Sequence, residues 1–131
     1  MTEETLRARI AGFLAEHTTM TLATSAADGT PAAAAVFYAA DDSLNLVFLS
    51  EETTEHGLNL LARPDVAATI QADGQDWRNI RGLQVRGRAA MASTVDLARA
   101  MAVYGRRFAF VGALLAGAGG PGALVGPLAR A

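Results

Sequence analysis

The order of strand and helix patterns between residues 21 and 91 constrains the fold of this chain more than any other feature. Five short segments have the apolar pattern and residue preferences of strands, and they cover residues 21–26, 31–38, 44–50, 66–71 and 80–91. One helical pattern, residues 54–63, separates the third strand from the fourth, with Thr54 as a suitable N-cap and Pro64 at its end. This order predicts a mainly β (α+β) fold with an antiparallel sheet. It also predicts a ligand held where the strands meet the helix.

Two more helices flank the strand-rich region. Residues 2–17 are predicted to form an amphipathic helix capped by Thr2, and their apolar stripe ends in His17, which we expect to be a partly buried structural residue. A third helix is predicted to begin at Ser93 or Thr94. Its apolar stripe consists of Leu97, Met101, Tyr104 and Phe108.

The strands also carry local signals of their geometry. Asp28-Gly29 predicts a hairpin between the first two strands, since both positions tolerate positive φ. Because strand side chains alternate, Met20, Leu22 and Thr24 should share one face of the first strand. In the last strand, Leu83 and Val85 should face one way. The opposite face should carry Gln84, Arg86 and Arg88.

Composition excludes several classes of protein and favours an oligomer. The chain has 131 residues, of which 51% are hydrophobic, and a mean hydropathy of +0.23, so apolar surface is expected at an interface between copies. No apolar run reaches the roughly 20 residues of a membrane span, and the N-terminus lacks the pattern of a signal peptide. Cysteine is absent, which excludes disulfides and thiolate chemistry. We therefore expect a cytoplasmic protein without membrane association.

Charge is divided unevenly along the chain. All eleven basic residues are arginine; eight of them lie in residues 77–131, whereas residues 1–76 hold twelve of the thirteen acidic residues. Either the two halves attract each other within a fold or across a dimer, or the arginines line a site for an anion such as phosphate. The net charge of −2, without an aromatic stacking motif, disfavours nucleic acid as a partner.

The start of the helix at 54–63 is the sharpest candidate for a binding site. A helix N-terminus presents unpaired N–H groups and a positive dipole end to an anion. Thr54 adds a hydroxyl, His56 adds a ring N–H, and Asn59 lies one turn further along. The alternative is a surface helix whose cap and histidine have no ligand.

The remaining residues provide no catalytic apparatus. Two histidines without clustered carboxylates make a metal site improbable, and no Gly-x-Ser-x-Gly elbow or glycine-rich nucleotide loop is present. The absence of lysine excludes Schiff-base chemistry. If the protein catalyses a reaction, a cofactor must supply the chemistry.

Residues 4–108 resemble the pyridoxamine-phosphate-oxidase-like split β-barrel flavin-binding proteins. The resemblance is carried by short stretches in a characteristic order: 21–24, 28–31, 36–38, 46–50, 54–56, 59–60, 63–66 and 80–87. The stretch 96–108 is most similar to a small bacterial branch of this superfamily. The resemblance implies a six-stranded split barrel with flanking helices. It also implies a homodimer with flavin mononucleotide (FMN) at the subunit interface.

The same resemblance implies where the cofactor lies. The isoalloxazine ring would run along Ala35, Val36 and Phe37, and the end of the third strand would contact it through Leu49 and Ser50. The phosphate would bind at Thr54, Glu55 and His56, with Asn59 on the same helix. Arg81 and Gln84 would approach the flavin from the partner subunit.

Two departures from the family pattern limit the prediction. Glu55 stands where relatives place a basic residue, so its carboxylate would repel the phosphate unless it points away. After Phe108 the similarity fades, and the final strand of relatives is expected to be replaced by Gly119-Gly120-Pro121 and an apolar tail. The predicted division is therefore a flavin-binding domain at 1–110 and a Gly/Ala-rich tail at 111–131. The residues that complete a pyridoxamine-phosphate oxidase site are missing, so that reaction is not assigned.

The functional prediction is a flavin-dependent oxidoreductase that takes hydride from a nicotinamide and reduces a small acceptor, which the sequence does not identify. The alternative on the same fold is a non-catalytic sensor or carrier that binds flavin, deazaflavin or haem. A structural dimer without a ligand is the third hypothesis.

Overall fold

The computed structural model describes residues 2–50 and 53–108, together with the backbone of residues 127–130. The helices in these residues are α1 (Glu3–Glu16), α2 (Glu55–Ala62) and α3 (Thr94–Arg107), and Trp77–Asn79 forms a 3₁₀ turn. The strands are β1 (Thr19–Ser25), β2 (Pro31–Phe37), β3 (Ala39–Ala40), β4 (Asn45–Val47), β5 (Asp65–Gln71), β6 (Gly82–Met91) and β7 (Pro127–Arg130).

All strand pairs are antiparallel, and their order in the sheet is β2-β1-β5-β6-β7-β4-β3. The predicted mainly β class with an antiparallel sheet and flanking helices is confirmed. The sheet has seven strands rather than six, since the short β3 precedes β4 and β7 follows α3. The edge strands β2 and β3 are consecutive along the chain.

The prediction that the final strand is missing is wrong. Pro127–Arg130 forms β7, which pairs with the end of β6 on one side and with β4 on the other. A proline can begin a strand because its missing N–H is tolerated there, and the polar backbone groups of two flanking strands gain partners by this pairing. The glycines predicted to interrupt the tail lie outside the described residues.

The β1–β2 hairpin lies where Asp28-Gly29 predicts it, but its turn differs from the expected one. Within this turn, only Gly29 has a positive φ, at +91°. The Gly29 N–H donates to the Ala26 carbonyl at 2.8 Å, and the Ala26 N–H donates to Thr30. This is a type I turn followed by a glycine bulge. Asp28 accepts from the Thr30 N–H at 3.0 Å, which lowers the pKa of its carboxyl.

The main core lies on the inner face of the sheet, beneath α1 and α2. Met20, Leu22 and Thr24 all point inward, as the alternation predicts. Tyr38 is fully buried, and its hydroxyl donates to the Leu14 carbonyl of α1 at 2.8 Å. A second apolar cluster joins α3 to the β3–β4 region. It consists of Ala39, Val47, Ala100, Tyr104 and Phe108.

Helices α1 and α2 lie at opposite ends of β6. Arg81 and Gly82, where β6 begins, line a groove with Phe13 of α1. Ala89 and Met91, where β6 ends, line a cavity with α2. Since nine residue steps of strand span about 30 Å, these two ends are well separated in one chain.

No helix within the described residues is long and apolar enough to cross a membrane. Those residues also contain no cluster of histidine and carboxylate side chains that could hold a metal ion.

Candidate cofactor site

The outer edge of β2 presents backbone groups that no neighbouring strand uses. β2 pairs with β1 on one side, and within the described residues no strand pairs with its other side. The N–H of Tyr38, the residue that follows β2, donates to the Thr18 carbonyl. Because hydrogen-bonded pairs alternate along an antiparallel ladder, the even-numbered residues of β2 bond to β1. The odd-numbered residues Ala35 and Phe37 therefore direct their N–H and C=O groups outward. These groups can bind the polar edge of a planar ligand.

The outer face of the sheet beside this edge carries small side chains on β2, β1 and β5, and the larger Gln84 and Arg86 on β6. One row across four strands consists of Ala35, Thr21, Thr69 and Gln84. The next row consists of Ala33, Ala23, Ala67 and Arg86. All eight side chains are exposed. A flat ring could therefore approach the strand backbones closely over most of this face.

The three β2 residues predicted to follow the ring divide between the two faces. Ala35 and Phe37 are on the outer face, and Phe37 is 49% exposed. Val36 points inward and packs against the main core. Strand alternation allows only two of three consecutive side chains on one face. A ligand at this edge would touch the backbone near Val36 rather than its side chain.

Leu49 and Ser50 lie between β2 and α2. Leu49 packs against the cluster that contains Phe108, and the Phe108 ring lies 5.5 Å from that of Phe37. Ser50 is 7% exposed and lines the cavity next to Gly57 in the first turn of α2. The strand end thus connects the edge of β2 to the start of the helix.

The start of α2 has the capping geometry that the sequence predicts. Thr54 is the N-cap, and its hydroxyl accepts from the Gly57 N–H at 3.2 Å. The first-turn N–H groups of Glu55 and His56 have no hydrogen-bond partner within the part of the chain that the structure describes. The side chain of Glu55 is exposed, and His56 is half-buried. This end of the helix can therefore hold an anion on its N–H groups.

Asn59 is occupied by a contact inside the fold. It is 6% exposed, and its amide donates to the Thr24 hydroxyl of β1 at 3.0 Å. This hydrogen bond joins α2 to the sheet. The amide is therefore committed to the core of the fold.

Arg81 and Gln84 are not beside the other predicted residues in the same chain. Gln84 shares a row with Ala35, but three strand spacings separate them by about 14 Å. Arg81 is at the α1 end of the sheet, where its guanidinium lies 5.7 Å from the Phe13 ring. Neither side chain could touch a ligand at the start of α2 without a second chain.

The cavity beside the start of α2 is too small for a flavin. The cavity between Ser50, α2 and the end of β6 has a volume of about 40 Å³. Cofactor-sized ligands occupy sites of about 300–1,000 Å³. A ligand of that size bound at the start of α2 would therefore extend out of this cavity, along the exposed edge and face of the sheet.

Sequence reasoning missed two residues of this region. Phe108 is buried against Phe37 and Tyr104, and it fixes the ring at the edge of β2. Arg86 belongs to the small-residue face, two positions from Gln84. The alternation in β6 places Gln84 and Arg86 on one face, so the signal for Arg86 was present. The Phe37–Phe108 contact spans 71 residues and had no local signal.

The histidine at the end of α1 is structural, as the stripe predicts. Its Nδ1 lies 2.8 Å from the Phe13 carbonyl, and the His17 and Phe13 rings stack at 4.3 Å. Arg107 of α3 donates to the Ala15 and His17 carbonyls, so it satisfies acceptors at the end of α1.

Many solved structures share the fold, among them the three that follow. The haem storage protein HutZ from Vibrio cholerae is 21% identical, with a TM-score of 0.77 over 95% of this chain and 89% of that one. An F420 reductase is 25% identical, with a TM-score of 0.60 over 91% and 90%. An FAD-binding protein from Mesorhizobium loti is 20% identical, with a TM-score of 0.66 over 94% and 85%.

No curated protein matches the chain. The family model for pyridoxamine 5'-phosphate oxidase matches residues 6–121, which include the β2 edge, the start of α2 and the whole of β6. Together with the antiparallel sheet and its helices, this match shows that the chain belongs to the pyridoxamine 5'-phosphate oxidase family.

Proposed function

We propose that this protein is a homodimer that binds FMN between its subunits and acts as a flavin-dependent oxidoreductase with a nicotinamide donor. The observation that carries the proposal is the free edge of β2 beside a face of small side chains. The F420 reductase that shares the fold, at 25% identity, acts on a cofactor with a flavin-like ring system. When bound, FMN would supply the hydride chemistry that the side chains lack.

The outward N–H and C=O groups of Ala35 and Phe37 match the alternating donors and acceptors on the pyrimidine edge of an isoalloxazine ring. The small side chains of the outer face leave room for the rest of the ring. Phe37, held in place by Phe108 at 5.5 Å, would limit the ring on one side and exclude water there. These residues position a ring and take no part in proton transfer.

The start of α2 is the proposed phosphate site. The first-turn N–H groups and the helix dipole favour an anion, and the half-buried His56 can add a ring N–H donor. Glu55 opposes this binding, but its side chain is exposed and screened by water. We therefore expect FMN affinity to be lower than in a site with a basic residue at this position.

A second copy is part of the proposed site. Arg81 and Gln84 lie too far from α2 to reach the same ligand in one chain, and the cavity beside α2 has a volume of only about 40 Å³. A partner subunit packed on the outer face would cover the ring and bring its own Gln84 and Arg81 towards it. Both predicted sets of residues then serve one cofactor.

Absorption spectroscopy tests the proposal with a matched pair of variants. The purified protein is mixed with excess FMN and desalted, and bound flavin is measured from its visible bands. Thr54→Ala removes the cap of α2, whereas Ser93→Ala removes the equivalent cap of α3, where the Asp96 N–H is 3.3 Å from the Ser93 hydroxyl. Each change should cost about 1 kcal/mol of stability.

Only Thr54→Ala and His56→Ala should weaken FMN binding, each by about 10-fold for one lost charge-assisted hydrogen bond. Equal affinities in the Thr54 and Ser93 variants would contradict the phosphate site. Oxidation of NADH or NADPH by the FMN-loaded protein tests the reductase step.

The other outcomes separate the rival functions. Retained FMN without nicotinamide oxidation would indicate a carrier or sensor. A protein that releases FMN but retains deazaflavin, or shows a haem Soret band, would replace FMN with that ligand. A protein that binds none of these would refute the proposal and leave the structural dimer.

A further inference from the structure

Two exposed apolar patches lie at opposite ends of β6. The α2 patch consists of Leu58, Leu61 and Met91, which are 57%, 58% and 42% exposed. Leu58 and Leu61 are three positions apart on one helix face, and Leu61 and Met91 line the same cavity. The loop patch consists of Trp77 and Ile80, which are 76% and 68% exposed and also three positions apart around a 3₁₀ turn.

We propose that the loop patch of one copy packs against the α2 patch of a second copy, once at each end of a two-fold dimer. The inference rests on the proposed homodimer but not on the identity of its cofactor. In a two-fold interface every contact occurs twice with the partners exchanged. Two patches at opposite ends of one strand satisfy this rule when the two β6 strands run antiparallel across the interface.

The two patches cannot cover each other within one chain. They lie at opposite ends of β6, about 30 Å apart along the strand. Large exposed apolar side chains grouped in this way are typical of interaction surfaces rather than of a solvated monomer surface. Trp77 is also the only tryptophan in the sequence, and tryptophan is enriched at the centres of interfaces.

The loop patch is flanked by charges of both signs, with Asp73 and Asp76 beside the arginines, whereas the α2 patch has Glu55 beside it. Two arginines flank the loop patch: Arg78, which lies 3.8 Å from Asp76 and 5.4 Å from the Trp77 ring, and Arg81. The exposed Glu55 lies one turn before Leu58 on α2. The cation at the other end of this helix, Arg63, donates to the Ala27 carbonyl at 2.8 Å and so faces the β1–β2 turn. Arg81 of one copy can therefore meet Glu55 of the second copy across the proposed contact.

The outer face of the sheet is too small to form a stable dimer interface by itself. The outer face of the sheet from β2 to β6 is about 14 Å wide and 20 Å long, or roughly 300 Å², from standard strand spacings. A stable dimer buries about 800 Å² on each partner. Contacts between the patches at both ends of β6 add to the area that the sheet face buries.

Tryptophan fluorescence tests the pairing directly. Before FMN is added, the emission of Trp77 and its quenching by iodide are measured in the dimer and after dilution to monomer. Burial against the α2 patch predicts blue-shifted, poorly quenched emission in the dimer and red-shifted, quenchable emission on dilution.

Leu61→Glu should reproduce the red shift at concentrations where the wild type is dimeric. It should also weaken dimerisation by more than about 10-fold, because the lost contact occurs twice. The control is Ala98→Glu, which adds the same charge on an exposed position of α3 and should leave both the emission and the dimerisation constant unchanged. Circular dichroism verifies that both variants remain folded.

The outcomes distinguish this inference from the proposed function. A dimer that binds FMN but whose Trp77 emission is the same before and after dilution would overturn the patch pairing and leave the flavin site standing. A dimerisation constant unaffected by Leu61→Glu would overturn it as well. A protein that is monomeric at all concentrations by sedimentation would overturn both proposals.

Discussion

Replacing Asn59 with leucine tests whether this residue holds the fold together or binds a ligand. Asn59 and Thr24 are 6% and 5% exposed, and their hydrogen bond of 3.0 Å joins α2 to β1. Leucine has a similar volume but no polar atoms, so Asn59→Leu leaves the Thr24 hydroxyl buried without this donor. An orphaned buried polar group costs about 1–3 kcal/mol. Because both residues are almost fully buried, we expect a loss in the upper half of that range.

The measurement is urea denaturation of the FMN-free protein at one fixed concentration, since dimerisation couples stability to concentration. The double variant Thr24→Val/Asn59→Leu removes both polar partners and should recover most of the lost stability. The coupling energy from the double-mutant cycle should be at least about 1 kcal/mol, as for residues in direct contact. Additive losses, with no recovery in the double variant, would refute this account of the contact.

FMN affinity in the same variants settles the second role predicted for Asn59. If the amide only anchors α2, affinity should fall in the single variant and return with stability in the double variant. If the amide touches the cofactor, the double variant should regain stability but not affinity. The two readouts therefore separate an anchoring residue from a binding residue.

Two further predictions follow from backbone geometry and from burial. Gly29→Ala should destabilise the protein by about 1–2 kcal/mol, because Gly29 has φ +91°. Gly12→Ala in the middle of α1 should instead stabilise it by up to about 1 kcal/mol. A Cβ meets no atom within 4 Å at either site, so thermal unfolding should show changes in stability of opposite sign for the two variants. Burial raises the pKa of Tyr38 above its value in the unfolded chain, which is about 10. The neutral phenol of Tyr38 therefore stabilises the fold fully below about pH 10, and this stabilisation is lost as the pH rises further. Tyr38→Phe should cost about 1 kcal/mol at pH 7 through the lost bond to the Leu14 carbonyl and should make the decline above pH 10 shallower; an unchanged alkaline profile would contradict the assignment.

Local patterns predicted the elements of this fold well. Alternation placed Met20, Leu22 and Thr24 on the inner face, and the caps at Thr54 and Ser93 are where the sequence indicates. Such signals act over two to four residues and therefore remain visible in a single sequence. The β1–β2 turn shows the limit of this reasoning, because Asp28-Gly29 is compatible with several turn types. Pairing across the hairpin selects the one in which only glycine has positive φ.

Contacts between distant residues account for what the sequence did not predict. β7 is a strand of four residues, and it forms because β4 and β6 both offer backbone partners. The role of Asn59 depends on Thr24, 35 positions earlier. A helical period states which residues share a face, but it does not state which polar side chain meets a polar partner in the core. Strand alternation separates Val36 from Ala35 and Phe37, but which of the two faces is buried depends on the distant residues that pack against Val36.

The predicted site residues are separated within one chain, and this separation affects how the protein can bind a cofactor. Groups that could hold a phosphate lie at the start of α2, whereas Arg81 lies at the α1 end of β6, beside Phe13. If both sets contact one cofactor, cofactor binding and dimerisation are thermodynamically linked, because each stabilises the state that the other requires. The exposed Glu55 then weakens binding to a single chain, while arginines from the second chain offset its charge in the dimer. A carboxylate that opposes the phosphate in the monomer would in this way confine tight binding to the assembled protein.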